Sequence, residues 1–270
     1  MRYDFWGKGA AVARVFGTRV SLQTWHNLVC GVAREISMVV RARKVARWVD
    51  VGSGDGETCL EVMEAMNDLS PECQRLMLVT VECDPTARTL QSEILPDAEV
   101  GGRVVARLSD WRELSSEHGA TVVTLLHSAY YLADSRQELA EVLRYLSEII
   151  TAEGALVLAS LPCSSPMFQL GELGLYKTGR TEDILWAAEA LGLTARVRQP
   201  GMKWLAMGLQ CKGERDMAEL DAVIRYVEGR HDLHVGDARR ERFLKQVKKL
   251  ASQGEYLDFQ DNIVVISTNS

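Results

Sequence analysis

The chain lacks the features that typify nucleic-acid-binding and membrane-surface proteins. Its 31 Lys and Arg residues are outnumbered by 37 Asp and Glu residues, which gives a formal net charge of −6, and the cations are spread thinly. Nucleic acids and anionic membranes need clustered cations to neutralise their phosphates. The composition therefore argues against both as partners and favours a small neutral or cationic substrate.

Paired cysteines and long apolar runs are also missing. The six cysteines form no CxxC pair and no regular framework, which is typical of reduced thiols, so we expect no disulfides. No apolar run approaches the length of a membrane-spanning helix, and the N-terminal MRYDFWGKGA lacks the apolar core of a signal peptide. These absences predict a cytoplasmic protein.

Metal ligands and nucleophilic triads are not recognisable in the sequence. His231 and His234 stand three residues apart in a polar link between two predicted helices, without a third ligand at a useful spacing. The chain presents no convincing Ser-His-Asp or Cys-His order either. We therefore predict no metal and no covalent nucleophile.

What the chain does contain is a regular alternation of short β-rich runs and helical patterns. A helical pattern starts at Ser135, has Glu138 in the capping-box position and is predicted to stop at Gly154; a second runs from Thr181 to Gly192. Strands that are apolar on both faces and alternate with helices are typical of a parallel sheet covered on both sides. This predicts an α/β, Rossmann-like fold whose seven-stranded, mostly parallel sheet comprises 46–52, 76–82, 103–109, 120–127, 154–162, 193–200 and 261–268.

We expect residues 1–270 to form one domain. Two charged amphipathic stretches, 214–229 and 237–254, follow the sixth strand and read as a helical hairpin inserted before the last strand. Whether the protein is a monomer or a homodimer is left open, because these helices suit a lid or a dimer surface. The predicted parts are a helical cover over one end of the sheet (1–44), a core (45–204), the helical insertion (205–256) and the last strand (257–270).

The segment WVDVGSGDGE (48–57) places glycines at every second position directly after the first strand. A dinucleotide loop requires GxGxxG and a phosphate-binding P-loop requires GK[ST], and neither is present. An acid followed by alternating glycines resembles the S-adenosylmethionine loop of class I methyltransferases, where glycines let the backbone approach the ligand. The candidate cofactor contacts in this loop are Asp50, Gly52, Ser53, Gly54 and Gly56.

Further candidate contacts follow the second and third strands. Glu82 ends the second strand, where a carboxylate can accept hydrogen bonds from both ribose hydroxyls, and Cys83 follows it. Asp84 precedes Pro85 and suits a helix N-cap better than a ligand contact. After the third strand, either Asp110 or Ser115 is a candidate for the adenine edge.

The stretch LLHSAYYLADSRQELAEVLRYLSEIITAEGALVLAS (125–160) resembles the histamine N-methyltransferase family. Three further segments are similar to that family, RELSSE (112–117), TEDILWAAEALGL (181–193) and DNIVVIS (261–267), so the resemblance covers most of residues 45–267. It implies that His127 and the paired Tyr130 and Tyr131 lie on the acceptor side, next to the sulfonium, where aromatic rings attract a cation. It also implies cofactor contacts at Gly52, Gly54, Glu82, Ser115 and Leu126, with His127 adjoining them.

The chain departs from that family after the fifth strand. Where the family has tryptophans that sandwich an imidazole, this sequence has PCSSPMFQLGELG, with Met167 and Phe168, so histamine is not the expected acceptor. Gln23, Trp25 and His26 are the expected pocket liners from the N-terminal segment.

We therefore expect a transferase that moves a methyl group from S-adenosylmethionine to a small molecule at nitrogen. His127 would orient or deprotonate the acceptor, and Tyr130 and Tyr131 would shape the sulfonium site. One alternative is intramolecular cyclisation of the cofactor to azetidine-2-carboxylate and methylthioadenosine, which the missing tryptophans motivate. Another is a binding module without catalysis, against which the intact loop and Glu82 argue.

Overall fold

The computed structural model describes most of the sheet and the helices that cover it. The described residues are 18–41, 43, 45–69, 76–98, 103–165, 168, 178–200, 204–207, 218, 220, 221, 224, 225, 234–250, 256–259 and 261–268, without the side chains of 18–24, 204–207, 248, 250 and 256–259. In this part of the chain, no helix combines the length and apolarity needed to cross a bilayer.

The described strands form two sheets. In chain order they are β1 (Ala46–Val51), β2 (Leu76–Val81), β3 (Val104–Leu108), β4 (Ala120–Leu126), β5 (Ile150–Ser160), β6 (Thr194–Arg198), β7 (Trp204–Met207), β8 (Tyr256–Phe259) and β9 (Asn262–Ser267). Seven of them pair in the order β3-β2-β1-β4-β5-β9-β6, and of these β9 alone runs in the direction opposite to the other six. β7 and β8 pair with each other. The predicted fold class is confirmed.

Helices cover both faces of the large sheet. The α-helices of the described residues with assigned bounds are α1 (Thr18–Val40), α2 (Glu57–Leu69), α3 (Pro85–Ile94), α4 (Arg136–Glu148), α5 (Thr181–Ala190) and α6 (Asp237–Leu250). Apolar side chains of α1 and α2 pack on one face, and those of α4 and α5 pack on the other. Every residue of β4 is buried, as expected for the centre of a parallel sheet that is covered on both sides.

The helix predicted to run from Ser135 to Gly154 ends earlier, at Glu148, and β5 begins at Ile150. The reason lies in the neighbouring strand: the register between β4 and β5 shifts near Ala120. A Cβ atom at Gly154 would lie 2.5 Å from the Thr121 carbonyl oxygen, so glycine allows β5 to approach β4 there. Gly154 is thus part of a strand irregularity and not a helix stop.

Two other predicted parts differ in detail. Of the predicted cover (1–44), the described part is mainly α1, which packs along one face of the sheet and buries Val32, Ile36 and Val40 there. Arg43, just after α1, donates to Thr151 near the start of β5, and Gly31 within α1 lies against Ile263 near the start of β9, so the first turns of α1 lie towards the carboxyl ends of the parallel strands. The predicted helical insertion, 205–256, contains α6 but overlaps the β7 and β8 strands at its two ends. Most of its other predicted helix, 214–229, lies outside the described residues.

Candidate functional site

The site is built at the carboxyl ends of β1, β2 and β4. The chain leaves β1 into α2 on one face of the sheet and leaves β4 towards α4 on the other face. Open α/β sheets bind ligands in the crevice that such a change of side creates. The glycine loop, Glu82 and His127 all lie at this edge.

The glycine loop between β1 and α2 takes a conformation that other residues adopt rarely. The φ angles are +77° at Gly52, +57° at Gly54 and +90° at Gly56, all in the region that favours glycine. The backbone N–H groups of Gly52 and Ser53 donate to the carbonyl of Val81, at 2.8 and 3.2 Å, and tie the loop to β2. The alternate glycines therefore serve a backbone path that the fold requires.

Glu82, directly after β2, faces this loop. One carboxylate oxygen accepts the Gly54 N–H at 2.9 Å, and the other accepts the Asp84 N–H at 2.8 Å. An ionised carboxylate has about four acceptor positions, so each oxygen retains capacity for a further donor. The carboxylate is thus fixed in place at the sheet edge and can accept two adjacent hydroxyl groups.

The loops beyond Glu82 are held by their own caps. Asp84 caps α3 by accepting from the Thr86 N–H at 2.8 Å; burial opposes its ionisation, but the backbone hydrogen bonds leave the pKa of Asp84 below its ordinary value. Asp110 accepts from the Arg112 N–H at 2.9 Å, and Ser115 begins the next short turn. Cys83 is exposed, whereas Asp110 and Ser115 are half-buried. The predicted capping role of Asp84 is the one found.

Gln91 supports the loop from α3, a role that the sequence patterns did not suggest. It is fully buried, accepts from the Thr80 hydroxyl at 2.6 Å and donates to Ser53 Oγ at 2.8 Å and to the Gly54 carbonyl at 3.2 Å. A buried polar side chain needs such partners. The only signal for it in the sequence was a glutamine on the apolar face of a helix.

Asp50 lies beneath the glycine loop and not on its surface. It is 1% exposed, and its two oxygens accept from the Cys59 thiol, at 2.9 Å, and from the Thr124 hydroxyl. Thr124 in turn accepts the Trp48 indole N–H at 2.7 Å. Burial raises the pKa of Asp50 from 3.8 to about 6, and the two hydrogen bonds oppose that rise. The carboxylate of Asp50 thus lies in a buried network with Cys59 and Thr124, and its contact with a ligand stays a prediction.

Asp50→Asn should stabilise the fold increasingly as the pH rises. The pKa of Asp50 is higher in the folded chain than its ordinary value. The stability that the protonated Asp50 carboxyl contributes is therefore fully present below about pH 3.8 and is lost as the pH rises through about 6. The difference in the free energy of unfolding between variant and parent should therefore grow by about 2.4 kcal/mol between pH 4 and pH 7, measured by chemical unfolding.

Asp84→Asn is the matched control for that experiment, because its folded pKa is shifted in the opposite direction. Its stabilisation is present above the ordinary pKa and disappears on acidification, so the variant should be less stable than the parent at pH 7 and converge with it at low pH. A pH-independent difference for Asp50→Asn would contradict the buried-carboxyl account.

His127 directly follows β4 and faces an acid that the sequence patterns do not single out. Its Nε2 atom lies 3.3 Å from Oδ1 of Asp261, the residue that precedes β9. The imidazole is 21% exposed and the Asp261 side chain is 7% exposed. His127 has a φ of +55°, and its N–H donates to the Ala159 carbonyl at 3.1 Å. Because β9 is antiparallel, its first residues lie where β4 and β5 end.

The two predicted tyrosines occupy different positions. The Tyr130 ring lies 6.2 Å from the His127 ring with 21° between their planes, and its hydroxyl accepts the Leu161 N–H at 2.8 Å. Tyr131 is 54% exposed and stands edge-on to Tyr130. Phe168 packs on Tyr130 with 6.1 Å between ring centroids. Tyr130 and Phe168 thus form a wall beside His127, whereas Tyr131 lies at its outer rim.

The remaining predicted residues are more scattered. Trp25 on α1 donates its indole N–H to Glu61 on α2, and His26 is exposed, with Nε2 3.5 Å from Cys30 Sγ. Leu126, the last residue of β4, is buried. Within the described part of the chain, no group of three His, Cys, Asp or Glu side chains could hold a metal. The Gln23 side chain, Met167 and His231 lie outside the described residues, and His234 is exposed.

The strand order and the position of this edge define the fold of class I methyltransferases. The YcgJ protein of Bacillus subtilis shares it with a TM-score of 0.56 and 12% identity, over 89% of this chain and 99% of that chain. A protein assigned as a sarcosine dimethylglycine methyltransferase from Galdieria sulphuraria shares it with a TM-score of 0.54 and 12% identity, over 92% of this chain and 86% of that chain. The plantazolicin methyltransferase BpumL in complex with SAH shares it with a TM-score of 0.51 and 11% identity, over 97% of this chain and 95% of that chain. No protein-family model and no curated protein matches the chain.

Proposed function

We propose that the protein is an S-adenosylmethionine-dependent methyltransferase that acts on a small molecule. The observation that carries this proposal is the Glu82 carboxylate, fixed by the N–H groups of Gly54 and Asp84 beside a glycine loop in the left-handed conformation. The fold, which is shared with methyltransferases of other organisms, supports it.

The charges around the loop suit this cofactor. Asp55 and Glu57 adjoin the glycines, and repulsion from Asp55, together with partial burial, raises the pKa of Glu57. A negative loop disfavours the phosphates of a dinucleotide and favours a ligand that carries a sulfonium and an ammonium group. Glu82 would hold the ribose hydroxyls, and Gly52 and Gly54 would let the backbone approach the methionine part.

S-adenosylmethionine supplies an electrophilic methyl group when bound. The chain's own contribution to the reaction is then chiefly positioning, because displacement requires a nucleophile in line with the methyl carbon. Tyr130 would present its ring to the sulfonium, where a cation–π attraction contributes about 1 kcal/mol or more once water is excluded. His127 would hold the acceptor and take its proton.

Nitrogen is the proposed acceptor atom. The resemblance of residues 125–160 to the histamine N-methyltransferase family favours an amine, and the net charge of −6 favours a cationic substrate. A protonated amine has no lone pair, so a base beside the acceptor is required before methylation. Histamine itself is not proposed, because the aromatic clamp expected after β5 is missing from the sequence.

The proposal is tested by incubating the protein with S-adenosylmethionine, alone and with a panel of small primary and secondary amines, and following products by mass spectrometry. We expect S-adenosylhomocysteine and a methylated amine only in the presence of an acceptor. Phenols and carboxylic acids of similar size serve as the comparison that tests the preference for nitrogen.

Two other outcomes would overturn methyl transfer. Release of methylthioadenosine without any acceptor would indicate cyclisation of the cofactor. Tight binding of S-adenosylmethionine with no consumption under any condition would indicate a binding module. The structural neighbours favour neither of these alternatives.

A further inference from the structure

Asp261 is a buried carboxylate at the candidate site with no role assigned so far. It precedes β9 and is 5% exposed as a residue, and its Oδ1 atom lies 3.3 Å from His127 Nε2. Buried carboxylates are retained where they are paired or hydrogen-bonded, because an isolated charge is costly to bury. Among the described residues, the imidazole of His127 is the partner that accounts for Asp261.

This contact restricts the protonation of the imidazole. An ionised carboxylate only accepts hydrogen bonds, so a neutral ring facing it through Nε2 is favoured when the proton is on that nitrogen. Nδ1 is then the unprotonated nitrogen and the one able to accept a proton.

The surroundings of the ring keep it in this orientation. The hydrogen bond that the His127 N–H donates to the Ala159 carbonyl holds the His127 backbone in the left-handed region. The Tyr130 ring lies nearly parallel to the imidazole. Asp261 is the less exposed member of the pair, at 7% against 21% for the imidazole side chain. The histidine thus stands between the carboxylate and the solvent-facing edge of the site.

We propose that Asp261 is a positioning residue: it holds neutral His127 in the Nε2-protonated tautomer, so that Nδ1 is the atom that takes the acceptor's proton. This inference rests on the proposed methyl transfer. The proton moves from an ammonium acceptor to Nδ1, the freed lone pair forms the N–C bond, and the electron pair of the broken C–S bond goes to sulfur.

Nitrogen NMR of the full chain labelled at its histidine rings tests the tautomer without any substrate. The chain has five histidines, and His127→Asn identifies the signals of His127, since asparagine also tolerates a positive φ. We expect a protonated Nε2 and an unprotonated Nδ1 in the neutral ring of the parent. In Asp261→Asn, whose amide can also donate, this preference should be lost. A parent ring that carries its proton on Nδ1 would overturn the inference, even if the variant failed to fold.

Kinetics supply the second readout. Asp261→Asn should lower kcat with the best amine by about 10-fold or more, while S-adenosylmethionine affinity stays within about 2-fold of the parent. Asp183→Asn is the control, because Asp183 is also buried but pairs with Arg136 at 2.7 Å; it should leave the His127 tautomer unchanged. An unchanged kcat in Asp261→Asn would refute the positioning role. If no amine is methylated, the proposed function fails, and the tautomer is still decided by the spectrum.

Discussion

Glu82→Gln should weaken S-adenosylmethionine binding by about 10- to 100-fold, because hydrogen bonds to a charged group contribute about 1.5–3 kcal/mol. The carboxylate accepts backbone N–H groups through both of its oxygens. A glutamine of the same shape has one oxygen and one NH₂ group, so it would set a donor against either Gly54 or Asp84 and lose an acceptor for ribose. Isothermal titration calorimetry with S-adenosylmethionine and with S-adenosylhomocysteine measures the loss.

Glu138→Gln is the matched control for Glu82→Gln. The Glu138 carboxylate also accepts a backbone N–H, from Asp134 at 2.8 Å, but it does so at the start of α4, away from the glycine loop. We expect its affinity for the cofactor to equal that of the parent. If Glu82→Gln bound as tightly as the parent while keeping its circular dichroism spectrum, the ribose assignment would be wrong.

The strands and the loop could be predicted from the sequence because their signals are local. Each strand of the parallel core is apolar on both faces and is bounded by turn residues, so its position needs no knowledge of its neighbours. The alternate glycines report a backbone conformation that few other residues adopt, and all three proved to have positive φ. Glu82 is predictable because it ends the strand that follows the glycine loop in sequence, where an acceptor for the ribose hydroxyls is expected.

The boundary between α4 and β5 was predicted less well because local preference is ambiguous there. The stretch EIITAEGALVLAS mixes β-branched Ile, Thr and Val with the good helix formers Glu, Ala and Leu, and the glycine in it is typical of a helix stop. What decides the boundary is the pairing of β5 with β4, whose register shifts at this point. Pairing between strands that are distant in sequence has no signature in one segment alone.

Asp261 was missed for a related reason. It is far from His127 in the sequence, and only the insertion of β9 between β5 and β6 brings the two together. A signal did exist: if the last strand is antiparallel, the acid before it must lie at the edge where the parallel strands end. The sequence suggested the strand but not its direction.

Gly52→Ala should lower the free energy of unfolding by about 2–5 kcal/mol and abolish cofactor binding with it, since the positive φ costs about 1–2 kcal/mol and forced overpacking costs about 1–3 kcal/mol. Gly52 has a φ of +77°, and a Cβ atom there would lie 2.4 Å from Ser128 Cβ. Ser128 is buried and donates to the Val51 carbonyl at 2.5 Å. The clash therefore sits between the loop and the segment that carries His127, and chemical unfolding of the purified variant measures its cost.

Two further variants distinguish the backbone cost of a positive φ from the steric clash with Ser128. Gly192 has a φ of +67° with nothing within 4 Å of an added Cβ, so Gly192→Ala should show only the backbone cost of about 1–2 kcal/mol. Ser128→Gly removes the atom that an alanine at 52 would strike but also removes a hydrogen bond. The double variant should then be less destabilised than the two single changes added together, by about 0.5–3 kcal/mol. If the changes in the free energy of unfolding were strictly additive, the loop would move aside at no cost. The close packing of Gly52 on Ser128 would then not be what holds the glycine loop beside His127.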